Sequence, residues 1–142
     1  MIAGIEHVAL SVSNLERSLR FYCDVLGLTL ARTMDVGPDS LLPIVTAQPG
    51  CHARIAHLYT GSFLLELFEY RVPEGRPIPQ DYRQADHGFI HLGLRSTDVR
   101  GDFQRLKEHQ VRMLSDPVEF RPGVWLFYFR GPDGEVLELR QT

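Results

Sequence analysis

The sequence predicts an α+β fold made of two tandem βαβββ modules. The segment "GIEHVAL" at residues 4–10 is written again as "GFIHLGL" at residues 88–94. A polar break and a helical pattern follow each copy, and each half closes on a similar strand, "LLELFEY" or "VLELRQT". Because segments, helices and closing strands all match, we interpret the chain as one motif present twice, in modules 1–70 and 88–142 joined by a linker at 71–87.

The first module begins with an alternating strand that contains His7. A helix is predicted for residues 14–27, because Asn14 is a good N-cap and Gly27 a good C-cap for the helical pattern between them. Alternating apolar segments after the helix predict three strands, at about 28–36, 53–59 and 63–70.

The second module repeats this order. In the helix predicted for residues 98–110, Val99, Phe103 and Leu106 lie on one face. The segment "RGPDGE" at 130–135 predicts a hairpin turn, since Pro fixes one φ angle and Asp-Gly supports a tight turn. The three strands are predicted at about 111–118, 123–130 and 135–141.

Composition and charge argue against several classes of protein. The chain has 142 residues, 44% hydrophobic and 23% charged, which is typical of a globular domain with its own core. A net charge of −3 and scattered basic residues argue against a nucleic-acid or membrane partner. No apolar run approaches the ~20 residues of a membrane span, and no signal-peptide pattern is present. Cys23 and Cys51 form no CxxC motif. We therefore expect a cytoplasmic protein that acts on a small molecule.

Four polar side chains occupy matching places in the predicted strands. Strand residues alternate between faces, so in each strand the leucines take one face and a single His or Glu takes the other. Taken alone, a His on a strand is usually hydrogen-bonded or exposed, and a Glu between leucines is usually the outward half of an alternating strand. The repeated pattern favours convergence of the four, which are His7, Glu66, His91 and Glu138.

A bound divalent metal explains this set better than a metal-free cluster does. Two carboxylates buried together would repel each other, and burying each charge is costly. A divalent cation removes both problems. The mixed set of imidazoles and carboxylates suits Zn, Ni, Co, Mn or Fe(II), without distinguishing among them.

Four segments resemble the vicinal oxygen chelate superfamily, which includes glyoxalase I, methylmalonyl-CoA epimerase, extradiol dioxygenases and bleomycin resistance proteins. The resemblance covers nearly the whole chain and is carried by "IEHVALSVSNLERSLRFYCDVLGL", "LLEL", "HGFIHLGLRSTDV" and "GPDGEVLEL". It implies one domain over residues 1–142, two tandem βαβββ modules that form a cupped mixed sheet around a metal site, and a homodimer.

By position, the four residues match the His, Glu, His, Glu ligand set of glyoxalase I. Epimerases of the superfamily commonly have Gln in place of Glu66, extradiol dioxygenases use two His and one Glu, and bleomycin resistance binders generally lack the set. Ser11 and Tyr70 stand where glyoxalase I has the arginine and asparagine that bind glutathione. The resemblance therefore implies a metalloenzyme and leaves open whether glutathione or coenzyme A is involved.

The chemistry that the resemblance implies is metal-stabilised enolate formation. A metal polarises a substrate oxygen, and a carboxylate removes a proton from the adjacent carbon. Glu138 is our first choice for this base and Glu66 the second. Isomerisation, epimerisation or glyoxalase-type lyase activity would follow. An Fe(II)-dependent extradiol-type dioxygenase and a non-catalytic binding protein are the alternatives.

Four further residues are candidates for binding the substrate. Arg95 lies on the predicted face of His91 and could bind a carboxylate or phosphate. His57, on the strand before Glu66, is a candidate second base, with His52 nearer the loop as the alternative. Phe68 and Tyr128 could line the cavity. Taken alone, most arginines are solvated, and aromatic residues on strands more often contribute to packing.

Overall fold

The computed structural model describes all 142 residues, in two compact units, Met1–Pro77 and Ile78–Thr142. The boundary between the units falls within the predicted linker. The helices lack the length and apolar composition needed to cross a membrane.

The first unit contains one mixed four-stranded sheet. Its strand order is β1-β4-β3-β2, with β1 parallel to β4 and the other neighbours antiparallel. Helix α1 packs on β3 and β4. In chain order, the elements are β1 His7–Ser11, α1 Leu15–Leu19, a π-helical segment Arg20–Val25, β2 Thr29–Val36, α2 Leu42–Val45, β3 His52–Thr60 and β4 Phe63–Val72.

The second unit repeats this topology. Its strand order is β5-β8-β7-β6, with β5 parallel to β8 and the other neighbours antiparallel. Helix α3 packs on β7 and β8. The predicted α+β class with two βαβββ modules is confirmed. The elements are β5 Leu92–Arg95, α3 Val99–Glu108, β6 Val118–Arg121, β7 Val124–Arg130 and β8 Val136–Gln141.

The first helix starts and stops where the sequence predicts, although its second half is wound more loosely. The Asn14 side chain accepts a hydrogen bond from the backbone N–H of Arg17 at 2.8 Å. Gly27 ends the helix with φ of +82°, a conformation that glycine adopts without strain. Between these caps, the Leu26 N–H donates to the Phe21 carbonyl, five residues back, as in a π-helix.

Helix α3 also follows its predicted pattern. The Asp98 side chain caps it by accepting a hydrogen bond from the Gly101 N–H at 3.0 Å. A side chain at Gly101 would collide with the Asp98 carboxylate, so this glycine makes room for the cap. Val99, Phe103 and Leu106 are buried, as predicted for the face that packs on the sheet.

One strand prediction is wrong. No continuous strand covers 111–118; β6 begins only at Val118, and Met113 makes an isolated bridge to Phe129. Pro117 has no N–H to donate to a β ladder. Just before it, the Ser115 hydroxyl replaces a backbone group by accepting from the Tyr128 N–H at 3.1 Å. The edge of β7 therefore pairs with two short segments, the isolated bridge at Met113 and strand β6.

Each unit has its own apolar core between helix and sheet. In the first unit, Leu65 and Leu67 of β4 are fully buried with Leu15 of α1. In the second, Phe127 of β7 packs edge-on against Phe103 of α3, with ring centroids 5.2 Å apart. As predicted, strand faces alternate, so the polar residues of β4 and β8 point away from these cores.

Candidate functional site

In the first unit, two imidazoles lie beside the carboxylate of Glu66. Glu66 projects from β4, and its Oε2 lies 3.4 Å from the Nε2 of His7, the first residue of β1. Its Oε1 lies 2.9 Å from the Nε2 of His57 on β3. The strand registers explain this, because Glu66 is paired directly with His57 and, across β1, with Ala9, two residues along from His7.

The tautomer of His57 is set by an arginine on the next strand. Arg32 is paired with His57, and its Nε donates to the His57 Nδ1 at 3.2 Å. Since an arginine can only donate, Nδ1 accepts and the ring proton of a neutral His57 is on Nε2. His57 is buried, and it therefore donates to the Glu66 carboxylate and holds it in place.

The second unit carries an equivalent cluster. Glu138 on β8 is only 8% exposed. Its Oε2 lies 3.1 Å from the Nε2 of His91 and accepts a hydrogen bond from the Tyr128 hydroxyl at 3.1 Å. Tyr128 is paired with Glu138 in the register of β7 and β8, as His57 is with Glu66. Each unit thus holds a His–Glu pair whose carboxylate is anchored by a donor from the neighbouring strand.

Two groups in these clusters have shifted pKa values. A hydrogen bond with Glu6, supported by the charge of Glu66, raises the pKa of His7 although partial desolvation opposes it. Burial raises the pKa of Tyr128, and its hydrogen bond to Glu138 raises it further. Tyr128 is therefore a protonated donor at neutral pH. One orphan atom stands out: the buried Nδ1 of His91 has no hydrogen-bond partner.

The four residues predicted to bind the substrate do not all line the same cavity. Arg95, at the end of β5, lines a cavity of about 440 Å³ that also includes His91 and Glu138. Phe68 shares the face of Glu66 on β4 and stacks on Tyr70, with centroids 5.7 Å apart. The polar atoms of His57 and Tyr128 hold the two carboxylates. Contact of either residue with a substrate, and the role of His57 as a base, stay predictions.

Two residues near the His–Glu pairs were not singled out from the sequence. Arg140 lines the same cavity as Arg95. It lies two residues after Glu138, so the alternation that singled out Arg95 also indicated this residue. Arg32 gave no such signal, because its contact with His57 depends on the register between β2 and β3.

The chemistry of the donor atoms fits a divalent metal. Each unit brings one imidazole nitrogen and one carboxylate oxygen within 3.4 Å of each other, a nitrogen and oxygen set suited to first-row metals. The donors from His57 and Tyr128 resemble the outer hydrogen bonds that orient ligating carboxylates in metal sites. No group of three or more His, Cys, Asp or Glu side chains is arranged to hold a metal ion. Binding of one metal by both pairs stays a prediction.

Comparison with known proteins identifies the family. Residues 4–139 match the model of the Glyoxalase/Bleomycin resistance protein/Dioxygenase superfamily. The chain belongs to this superfamily. Among its relatives is a 2-epi-5-epi-valiolone epimerase from an Actinomyces species, 35% identical over 96% of this chain and 78% of the relative. A probable lactoylglutathione lyase from Synechocystis is 24% identical over 96% of this chain and 93% of the relative.

Solved structures of the superfamily share the fold. A glyoxalase family protein from Bacillus cereus superposes with a TM-score of 0.88 at 20% identity, covering 99% of this chain and 94% of that one. At this identity the likeness establishes the architecture alone. The named relatives in the superfamily include an epimerase and a probable lyase, which places this chain among enzymes of more than one reaction type.

Proposed function

We propose that this chain is a divalent-metal-dependent enzyme that removes a proton from a carbon next to a carbonyl and returns it, as an epimerase does. The observation that carries the proposal is the anchored His–Glu pair, which occurs at equivalent positions of both units. The 35% identity to an epimerase supports this reaction over a lyase. The absence of the glutathione-binding residues, replaced by Ser11 and Tyr70, points the same way.

In this proposal the metal ligands are His7, Glu66, His91 and Glu138, and the metal is Zn, Ni, Co, Mn or Fe. When bound, the metal polarises a substrate oxygen and offsets the negative charge that develops there. Two imidazoles and two carboxylates would hold such a metal and would leave part of its coordination shell open to a substrate.

Glu138 is the proposed base. Its carboxylate takes the proton as the C–H bond breaks, and the electron pair of that bond passes to the neighbouring carbonyl group. Tyr128 holds one carboxylate oxygen and so fixes the direction of attack. Return of the proton to the opposite face of the same carbon gives epimerisation. Glu66, anchored by His57, is the second carboxylate that could exchange a proton with that face.

Metal content provides the first test. Protein purified without chelator should contain about one metal ion per four-ligand site, and both H91A and E138A should lose it. H109A is the matched control, because His109 is exposed at the end of α3 and far along the chain from either cluster. A wild-type protein that takes up none of the five metals on dialysis would refute the metal proposal.

The reaction is tested by proton exchange. We expect the metal-loaded enzyme in D₂O to incorporate deuterium into 2-epi-5-epi-valiolone, the compound named for the relative, as detected by mass spectrometry. Conversion of S-lactoylglutathione without such exchange would replace the epimerase with a lyase. Oxygen uptake with a catechol would favour the dioxygenase. Tight binding of a small molecule with no exchange would overturn the enzyme proposal.

We further propose a homodimer, as the resemblance implies, and a mixing experiment determines which chains supply each ligand pair. H7A and H91A each disable one pair. If both pairs of a site come from one chain, a refolded mixture of the two variants binds no metal. If they come from different chains, each mixed dimer regains one intact set of four ligands. Sedimentation equilibrium establishes whether the dimer forms.

A further inference from the structure

Two arginines stand side by side next to the Glu138 cluster. Arg95 and Arg140 are directly paired in the parallel register of β5 and β8. By strand alternation, Arg140 lies on the same face of β8 as Glu138, whereas His91 directly precedes β5. All four line the cavity of about 440 Å³ in the second unit.

The two arginines differ in exposure, since Arg95 is exposed and Arg140 is half-buried, and neither forms an ion pair. Arg54 forms ion pairs with Glu16 at 2.5 Å and Glu69 at 3.2 Å. Neither Arg95 nor Arg140 has an acidic partner, and the buried Nε of Arg140 makes no hydrogen bond. Buried polar atoms without partners are rare in native proteins and call for a ligand or water.

The fold itself does not require this pair. In the first unit, the equivalent paired positions in β1 and β4 hold Ser11 and Phe68. The same sheet topology is therefore built there without either guanidinium. Two like charges on neighbouring strands are unfavourable in the absence of an anion, so the arginines of the second unit are better explained by a ligand than by folding.

We infer that Arg95 and Arg140 form an oxyanion-binding subsite, which takes a carboxylate or phosphate group of the substrate. Guanidinium groups match both kinds of oxyanion through paired hydrogen bonds. Glu138 is the acidic side chain of the cavity, and its Oε2 already accepts from Tyr128 and lies beside His91. The assignment of this group to a substrate rests on the proposed function. A substrate of this kind carries an acid group near its reacting carbon, for example a phosphorylated form of 2-epi-5-epi-valiolone, which is itself uncharged.

Gly93 leaves space for such a group. It is paired with Glu138 between the two parallel strands, lines the cavity, and a Cβ built on it would meet no atom within 4 Å. The equivalent residue of the first unit is Ala9, paired with Glu66. Gly93→Ala therefore fits the sheet and narrows the cavity without removing a charge.

The test uses metal-free protein, so that anions cannot bind through a metal. Arginine Nε–H signals are followed by NMR while sodium phosphate or, separately, sodium acetate is added at ionic strength held constant with chloride. We expect saturable shifts of the Arg140 and Arg95 signals. Each of R140Q and R95Q should weaken the binding by about tenfold, the value of a lost charge-assisted hydrogen bond, and Gly93→Ala should weaken it as well.

Arg121→Gln is the matched control, because it removes the same charge from the exposed strand β6 of the same unit. Binding of only one anion identifies the acid group. Linear shifts without saturation, or equal weakening by R121Q, would overturn the inference. Saturable anion binding in a protein that takes up no metal would leave the subsite standing and remove the proposed reaction. Metal uptake without anion binding would overturn the subsite and leave the proposed reaction standing.

Discussion

The hydrogen bond between Tyr128 and Glu138 can be measured by replacing Tyr128 with Phe. The hydroxyl donates to a carboxylate that is 8% exposed, and hydrogen bonds to charged groups contribute about 1.5–3 kcal/mol. The bond is 3.1 Å long, beyond the optimum for a charged acceptor, and His91 also lies 3.1 Å from the same oxygen. The loss should therefore lie at the low end of this range, about 1.5 kcal/mol. The Phe ring keeps the edge-to-face contact with His91.

Urea unfolding of metal-free protein at pH 7 measures this loss. Trp125, the single tryptophan, lies on β7 and reports on the second unit. Tyr59→Phe is the matched control, because Tyr59 is 40% exposed and lies in the first unit; surface changes of this kind stay within about 0.5 kcal/mol. If Tyr128→Phe and Tyr59→Phe have equal effects, the hydroxyl does not anchor Glu138.

Two further predictions concern the first unit. Leu67→Ala should lower the free energy of unfolding by about 2–5 kcal/mol in a urea titration, because Leu67 is fully buried; Val72→Ala, at a residue 51% exposed, is its control, and equal losses would contradict the assigned core. Glu6→Gln should lower the pKa of His7 in an NMR titration more than Glu66→Gln does, since the Glu6 hydrogen bond is the larger cause of the raised pKa; the opposite order would contradict this account.

Local signals in the sequence were enough to predict most of the fold. The Asn14 and Gly27 caps bound the first helix, and the alternation of leucines with Glu66 or Glu138 gave the correct strand faces. Features set by contacts distant in sequence were missed. The Ser115 hydroxyl that replaces a ladder group, for example, acts only because β7 lies beside it.

The candidate site was predictable in its residue types but not in its contacts. Repeat and alternation picked out the His and Glu pairs, and the structure brings each pair together within its unit. The role of His57 was not readable, because its tautomer depends on Arg32, a residue from a strand far away in sequence. Arg140 was within reach of the alternation argument, which singled out Arg95 alone.

The anchoring of the two carboxylates shows how a duplicated module can diverge without losing its chemistry. His57 and Tyr128 occupy the same register position opposite their glutamates. An imidazole N–H and a phenol O–H can both donate to the glutamate, because strand pairing places the residue that carries the donor directly opposite that glutamate. The backbone pairing thus conserves the geometry, while each half of the protein is free to change the acidity, size and polarity of its donor separately. The two units thus place different donors, an imidazole and a phenol, beside equivalent carboxylates.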